Sequence, residues 1–367
     1  MPDESDRLRT YCDLSSRLAQ YDDRQLLALL DSRRVDGGRS REGNRVLRLG
    51  RTKTFVKRVG VTALERDNPY STRNLYRLPT YYNYGIGSAG LGVYREIATH
   101  VRTTNWVLDG SMPHFPLMYH HRVVPRPASA VERELPDWFA ENIRHWNGSK
   151  RVEAYLRQRL QAPYEVLIFL EYVPHALHGW LPRNLGRTAD VVEQAGRVLA
   201  FTRKRGLLHF DCHFNNLLTD GKRVYLADFG LALDRAFDLN GRERAFHRRH
   251  LNLDCGQFLN GLGYYFMDRF LKLPEPRKRR LCRLLGVDRD SGNGAIFRAL
   301  LNDFAKVHAD GALKLPDAYA EAIVRYRSVI VLIHHFFDDL RSNRRKNTPL
   351  PSAALGRRLK AAGFPTR

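Results

Sequence analysis

The stretch Leu207-Leu-His-Phe-Asp-Cys-His-Phe-Asn-Asn-Leu-Leu218, followed by Val224-Tyr-Leu-Ala-Asp-Phe-Gly-Leu-Ala232, constrains this chain more than any other. The apolar pairs Leu207-Leu208 and Leu217-Leu218 and the run from Val224 read as short buried strands. Between them lies a loop crowded with His209, Asp211, His213 and Asn216, and Asp228-Phe229-Gly230 closes the last apolar run. The offsets are fixed: 216 − 211 = 5 and 228 − 211 = 17. Carboxylates, an amide and imidazoles on loops bracketed by apolar strands belong to a site, because a rigid scaffold can hold such loops in place.

The rest of the chain supplies that scaffold. A length of 367 residues suggests two domains of roughly 100–200 residues each. Residues 1–32 read as a helical extension, with Leu14, Leu18, Leu26, Leu27 and Leu30 at helical spacing from residue 6 onward. After a glycine-rich turn around Gly37 and Gly38, Val46–Leu49 and Thr54–Lys57 read as a hairpin. The Tyr-rich segment 68–92 reads as a long functional loop. Tyr94, Ile97, Ala98 and Val101 then mark a helix. Phe115–Tyr119 and Tyr164–Val173 read as strands, with a helical excursion over 128–160 between them. Beyond Pro174 the pattern is mainly helical: one helix runs through Val191, Ala195, Val198 and Leu199, and a long one from Tyr319 to Leu340. A strand-rich part of 33–173 followed by a helix-rich part of 174–367 is an α+β pattern with two lobes.

The spacing of Asp211, Asn216 and Asp228 resembles the protein-kinase-like phosphotransferases, over roughly residues 33–270. The resemblance implies a bilobal fold binding ATP and Mg²⁺. In such a protein Asp211 positions an attacking hydroxyl and accepts its proton, while Asn216 and Asp228 offer the hard oxygen ligands that Mg²⁺ prefers. It also implies a strand lysine on the α/β-phosphates, for which Lys57 stands at the end of Phe55-Val-Lys57. Glu96 is the expected helix partner of that lysine, with Glu65 a rival. Leu170-Glu-Tyr-Val-Pro174 is similar to the segment joining the lobes, with Leu170 lining the adenine pocket and backbone groups of Glu171 and Val173 meeting the base. Gly37 and Gly38 are candidates for covering the phosphates, although their spacing departs from the family's glycine pattern. His209 reads as a structural residue, and Asp254 corresponds to the helix aspartate that buttresses the catalytic loop.

The departures from the family keep the acceptor open. His213 stands where protein kinases usually carry lysine and where aminoglycoside and choline phosphotransferases carry histidine. Phe210 replaces the arginine that receives an activation-loop phosphate in many protein kinases, and no Ala-Pro-Glu follows Gly230. Three readings stand: a kinase for a protein Ser/Thr hydroxyl, a small-molecule phosphotransferase of antibiotic, sugar or choline type, and a nonenzymatic nucleotide-binding scaffold. The net charge of +22 makes an anionic partner a further expectation. An acidic N-terminus, no long apolar run and four cysteines without a Cys-x-x-Cys pair lead to the expectation of a reduced, cytoplasmic protein without a membrane span.

Overall fold

The pairing of two strands and a helix over 45–108 decides where the chemistry-bearing residues go. A computed structural model of the chain describes residues 4–32, 43–85, 89–127, 131, 134–288, 290–313 and 315–365, so Gly37 and Gly38 lie outside the described residues. The chain divides into two compact units: Met1–Pro174 with Tyr225–Phe246, and His175–Val224 with His247–Arg367.

The first unit contains α1 (Glu4–Ala19), α2 (Asp23–Ser32), β1 (Arg45–Leu49), β2 (Thr52–Val61), α3 (Ala63–Arg66), α4 (Val93–Leu108), β3 (Met118–Pro125), α5 (Trp138–His145), α6 (Lys150–Leu160) and β4 (Tyr164–Glu171). Its antiparallel sheet has the order β1-β2-β4-β3. Strand β4 is buried along nearly its whole length, which explains why it reads as a continuous apolar run rather than an alternating one. Phe55, Val59 and Val61 of β2 and Val166, Ile168 and Leu170 of β4 pack with Val93, Tyr94 and Ile97 of α4. Full burial of a valine, isoleucine or leucine in this cluster contributes about 1.5–3 kcal/mol.

Two expectations change in detail. The strand read at 115–119 begins only at Met118, where β3 pairs with Leu170, and runs on to Pro125. The excursion before β4 is two helices, α5 and α6. The described part of the Tyr-rich segment is anchored by its rings: Tyr81 stacks on Trp146 at 5.9 Å, and Tyr76 and Tyr82 lie edge-on to Tyr155 at 4.9 and 6.1 Å. It therefore covers α5 and α6 and carries a turn of 3-10 helix over Thr80–Tyr84.

The remaining elements are β5 (His175–Ala176), α7 (Leu177–Trp180), α8 (Thr188–Arg205), β6 (Leu207–Leu208), β7 (Leu217–Thr219), β8 (Val224–Leu226), β9 (Leu233–Asp234), α9 (Gly241–Arg249), α10 (Leu253–Leu271), α11 (Glu275–Leu284), α12 (Asn293–Asn302), α13 (Phe304–Asp310), α14 (Asp317–Ser342) and α15 (Ser352–Ala361). Helix α8 ends at Gly206, whose φ of 85° is the left-handed cap that glycine adopts without steric cost. In the second unit α10 packs on α14. A Cβ on Gly261 would fall 2.6 Å from the ring of Phe214, so glycine there lets the loop after Asp211 sit directly against α10. The architecture is thus mixed α+β, with a small antiparallel sheet and a larger helical part. Among the described residues no helix is long and apolar enough to cross a membrane.

Candidate functional site

Strand periodicity explains the first half of the site. Side chains alternate faces along β2, so Lys57 shares the face of Phe55, Val59 and Val61 and points toward α4 in place of an apolar residue. An ammonium in that stripe is costly unless it is paired. Its Nζ donates to Glu96 Oε1 of α4 at 2.6 Å and to Asp228 Oδ1 at 2.8 Å. Lys57 and Glu96 are buried, whereas the Asp228 side chain is half-exposed at 46%. Burial alone would lower the Lys57 pKa, but Asp228 and Glu96 outweigh it and hold the ammonium above its ordinary value. Burial would likewise raise Glu96, and the Lys57 charge overrides it, keeping the carboxyl below its usual range.

Asp228 adopts φ 63°, a left-handed conformation that aspartate tolerates when its side chain bonds locally. Here Oδ1 also accepts from Gly230 N at 3.3 Å. Phe229 is fully buried, its ring 5.0 Å from His100 and 6.3 Å from Phe115. The aromatic anchor thus fixes the backbone that presents the carboxylate.

Glu65, the rival partner, is engaged elsewhere. Thr62 and Glu65 form a capping box on α3; Glu65 also accepts from Val93 N at 3.0 Å and from Arg159 Nη2 at 2.7 Å. It fixes the start of α4 rather than pairing with Lys57. The Thr62-x-x-Glu65 spacing carries that signal in the sequence. Arg7 had no such signal. Its guanidinium is 4% exposed, donates to Glu171 at 2.7–3.0 Å and to Pro113 O at 3.1 Å, and also bonds Phe115 O. The N-terminal helix is therefore fastened to the end of β4.

Leu170 is buried in β4 and Val173 lies just beyond the strand. The Glu171 N–H donates to Leu117 O at 2.8 Å. The backbone N–H of Glu171 is therefore already committed.

A second cluster of candidate residues lies in the other unit. Asn216 Nδ2 donates to both the carbonyl and Oδ2 of Asp211 at 3.0 Å. His213 Nδ1 accepts from Asn215 N at 3.2 Å, which assigns the proton to Nε2, 3.4 Å from Asp211 Oδ1. Buried Asp254 of α10 accepts from His209 N at 2.7 Å and Phe210 N at 2.8 Å. His209 Nδ1 in turn accepts from Asp211 N at 3.2 Å. Phe210 has φ 64°, costly for a bulky residue by about 1–3 kcal/mol. The strain persists because Asp254 holds its N–H, Gln257 Nε2 donates to its carbonyl at 2.9 Å, and its ring is fully buried. Burial pushes Asp254 above its ordinary value, against the pull of His209 and the two backbone donors. Burial also pushes the Cys212 thiol well up, as suits a packed side chain and not a nucleophile.

Lys57, Glu96 and Asp228 thus meet in the first unit, and Asp211, His213 and Asn216 in the second. Taken separately, the half-exposed carboxylate of Asp228 and the amide oxygen of Asn216, whose nitrogen is committed to Asp211, are each hard donors. No family model matches this chain. The chain is similar over 104 residues, at 33% identity, to a protein of Methanosarcina acetivorans described as a probable bifunctional tRNA threonylcarbamoyladenosine biosynthesis protein. That similarity covers 25% of this chain and 19% of the relative, so the chain spans about a fifth of the length of the protein it matches.

Proposed function

We propose that this chain is an ATP- and Mg²⁺-dependent phosphotransferase of the bilobal kinase-like fold, with a protein Ser/Thr hydroxyl as acceptor. The observation that carries the reading is the buried Lys57 ammonium shared between a buried helix carboxylate, Glu96, and a half-exposed one, Asp228. A lysine held charged and aimed in this way suits the α/β-phosphates. Asp228 and Asn216 supply hard oxygens for Mg²⁺, whose charge would offset that of the phosphates. Asp211 orients the acceptor hydroxyl and takes its proton as the new O–P bond forms and the bond to ADP breaks. Leu170, with backbone groups of Glu171 and Val173, borders the adenine.

A second reading has its own observation. The His213 imidazole beside Asp211 is the arrangement that favours a small-molecule acceptor over a protein. The nonenzymatic scaffold is disfavoured because Lys57, Asp211, Asn216 and Asp228 are all present. The relative's described role in tRNA modification, together with a net charge of +22, makes RNA a reasonable anionic partner.

The test is incubation with γ-labelled ATP and Mg²⁺, alone and with a generic protein substrate, beside Asp211→Ala. Asp211-dependent label on protein supports the first acceptor. Asp211-dependent ATP turnover without labelled protein supports the second. Absence of turnover in the wild type overturns the phosphotransfer reading.

A further inference from the structure

The chain just after Asp228 is tied to the helix that carries Glu96 at points no local motif announces. Arg95, the neighbour of Glu96, is 1% exposed; its Nη2 donates to Glu243 Oε1 at 2.7 Å and its Nε to Thr72 O at 2.7 Å. Glu243 is itself buried, and its other oxygen accepts from Asn240 N at 3.0 Å. Two turns along α4, Arg102 pairs with Asp234, whose side chain is 1% exposed and whose Oδ1 accepts from Ala236 N at 2.9 Å. The Tyr-rich segment adds neutral ties. Leu91 N donates to Gly230 O at 2.9 Å, Asn83 Nδ2 to Leu231 O at 3.2 Å, and Thr72 Oγ1 accepts from Asp238 N at 2.9 Å.

The composition of this segment is equally telling. Between Tyr225 and Tyr264 the chain has no serine, threonine or tyrosine. A segment without hydroxyls cannot be ordered by hydroxyl phosphorylation, whose usual effect is to supply a dianion for arginines to grip. Here the arginines are on α4, and genetically encoded carboxylates already occupy them. A buried arginine paired with a carboxylate persists only where both charges are matched, so each pair fixes α4 and residues 230–243 to one another.

We propose that Arg95 and Arg102 are positioning residues: through Glu243 and Asp234 they hold the chain after Asp228 in its working conformation, so that fixed carboxylates take the place of a regulatory phosphate and the site stands assembled without modification. This rests on the phosphotransfer reading for its catalytic consequence, but its structural part can be read without activity.

The experiment therefore has two readouts. Arg95→Met with Glu243→Gln removes both buried charges together, leaving no orphan charge, and Arg102→Gln with Asp234→Asn provides a second, less buried pair. Hydrogen exchange of the amides in 230–243 is expected to be slow in phosphatase-treated wild type and to speed up in either double variant. Asp211-dependent ATP turnover is expected to fall about 5- to 150-fold in kcat, the range of a typical coupling between elements, with KM for ATP nearly unchanged. A protein merely loosened throughout would instead show faster exchange everywhere and a matching drop in melting temperature. That result overturns the proposal, as does slow exchange at 230–243 in both variants, or a wild type that needs phosphorylation for full turnover. Should the wild type lack turnover while exchange at 230–243 responds as expected, the tie stands and the phosphotransfer reading falls.

Discussion

The two clusters of candidate residues, one half of the proposal in each unit, are held by opposite means. In the first unit, side-chain charges hold one another: Lys57 sits between Glu96 and Asp228 inside an otherwise apolar stripe. In the second, the Asp211 carboxylate meets only the polar side chains of Asn216 and His213, and the loop is fixed through its backbone by Asp254 two and one residues upstream of it. The difference teaches where stability and chemistry are separable. A loop pinned by its main chain can lose its reactive side chain without loosening. A buried lysine paired with a buried glutamate cannot lose either member of that pair without stranding a buried charge.

The largest expected effect tests the separable half. Asp211→Asn keeps the size of the side chain and one accepting oxygen, which can still take the Asn216 bond, but removes the carboxylate. Turnover of ATP is expected to fall by about 10²–10⁴-fold, with the melting temperature unchanged. A variant that unfolds at much lower temperature would show that the loop depends on this carboxylate after all. Lys57→Met tests the inseparable half. It leaves Glu96 buried without its partner, at a cost of about 3–5 kcal/mol, and turnover is lost with it. Adding Glu96→Leu to Lys57→Met is expected to recover much of the stability and none of the turnover, as seen by denaturant titration beside the activity assay. If Lys57→Met alone melted like wild type, water or rearrangement would already be relieving the charge, and the contrast between the two halves would fail.

Asp254→Ala carries the comparison to the residue that does the pinning. It orphans two buried backbone N–H groups at His209 and Phe210, at about 1–3 kcal/mol of stability each. It also frees Phe210 to leave its left-handed conformation. Turnover is expected to fall with the stability even though Asp211 is intact, and nucleotide affinity at Lys57 is expected to hold. Equal loss of nucleotide affinity, measured by titration with Mg²⁺-nucleotide, would mean the two halves are not independently held.

Much of this was legible in the sequence, and the reason is range. The hairpin at 45–61, the buried run at 164–171 and the helix ending at Gly206 follow from periodicity and capping within a few residues. Asp211 and Asp228 were singled out by the apolar runs that flank them and by their spacing, and Lys57, Glu96 and Asp254 by the positions the resemblance implied. What stayed hidden depends on pairings across the chain. Arg7 meets Glu171, 164 residues away, and Arg95 meets Glu243, 148 residues away. The Tyr-rich segment reads as a loop because its order comes from rings on Trp146 and Tyr155, not from a period of its own. No local pattern encodes such partners, since a buried arginine and a surface one look alike in sequence.

The smallest effect is also the sharpest test of how Asp254 holds its loop. Glu96 lies below and Lys57 above their ordinary values of 4.5 and 10.5. The stability they contribute is therefore constant between those limits. It is lost only as pH falls through the folded pKa of Glu96, or rises through that of Lys57. Asp254 runs the other way. Its folded pKa is raised above 3.8 by burial, so the folded state takes up a proton more readily than the unfolded one. Its contribution to stability therefore grows as pH falls from its folded pKa toward 3.8. Asp254→Asn cannot titrate. Between pH 7 and pH 4 the melting temperature of the wild type is expected to rise relative to that of Asp254→Asn, because only the wild type gains from protonation there. A gap that closes instead would mean that the two backbone donors and His209 outweigh burial, that Asp254 is a stabilised carboxylate, and that both clusters are held by matched charge.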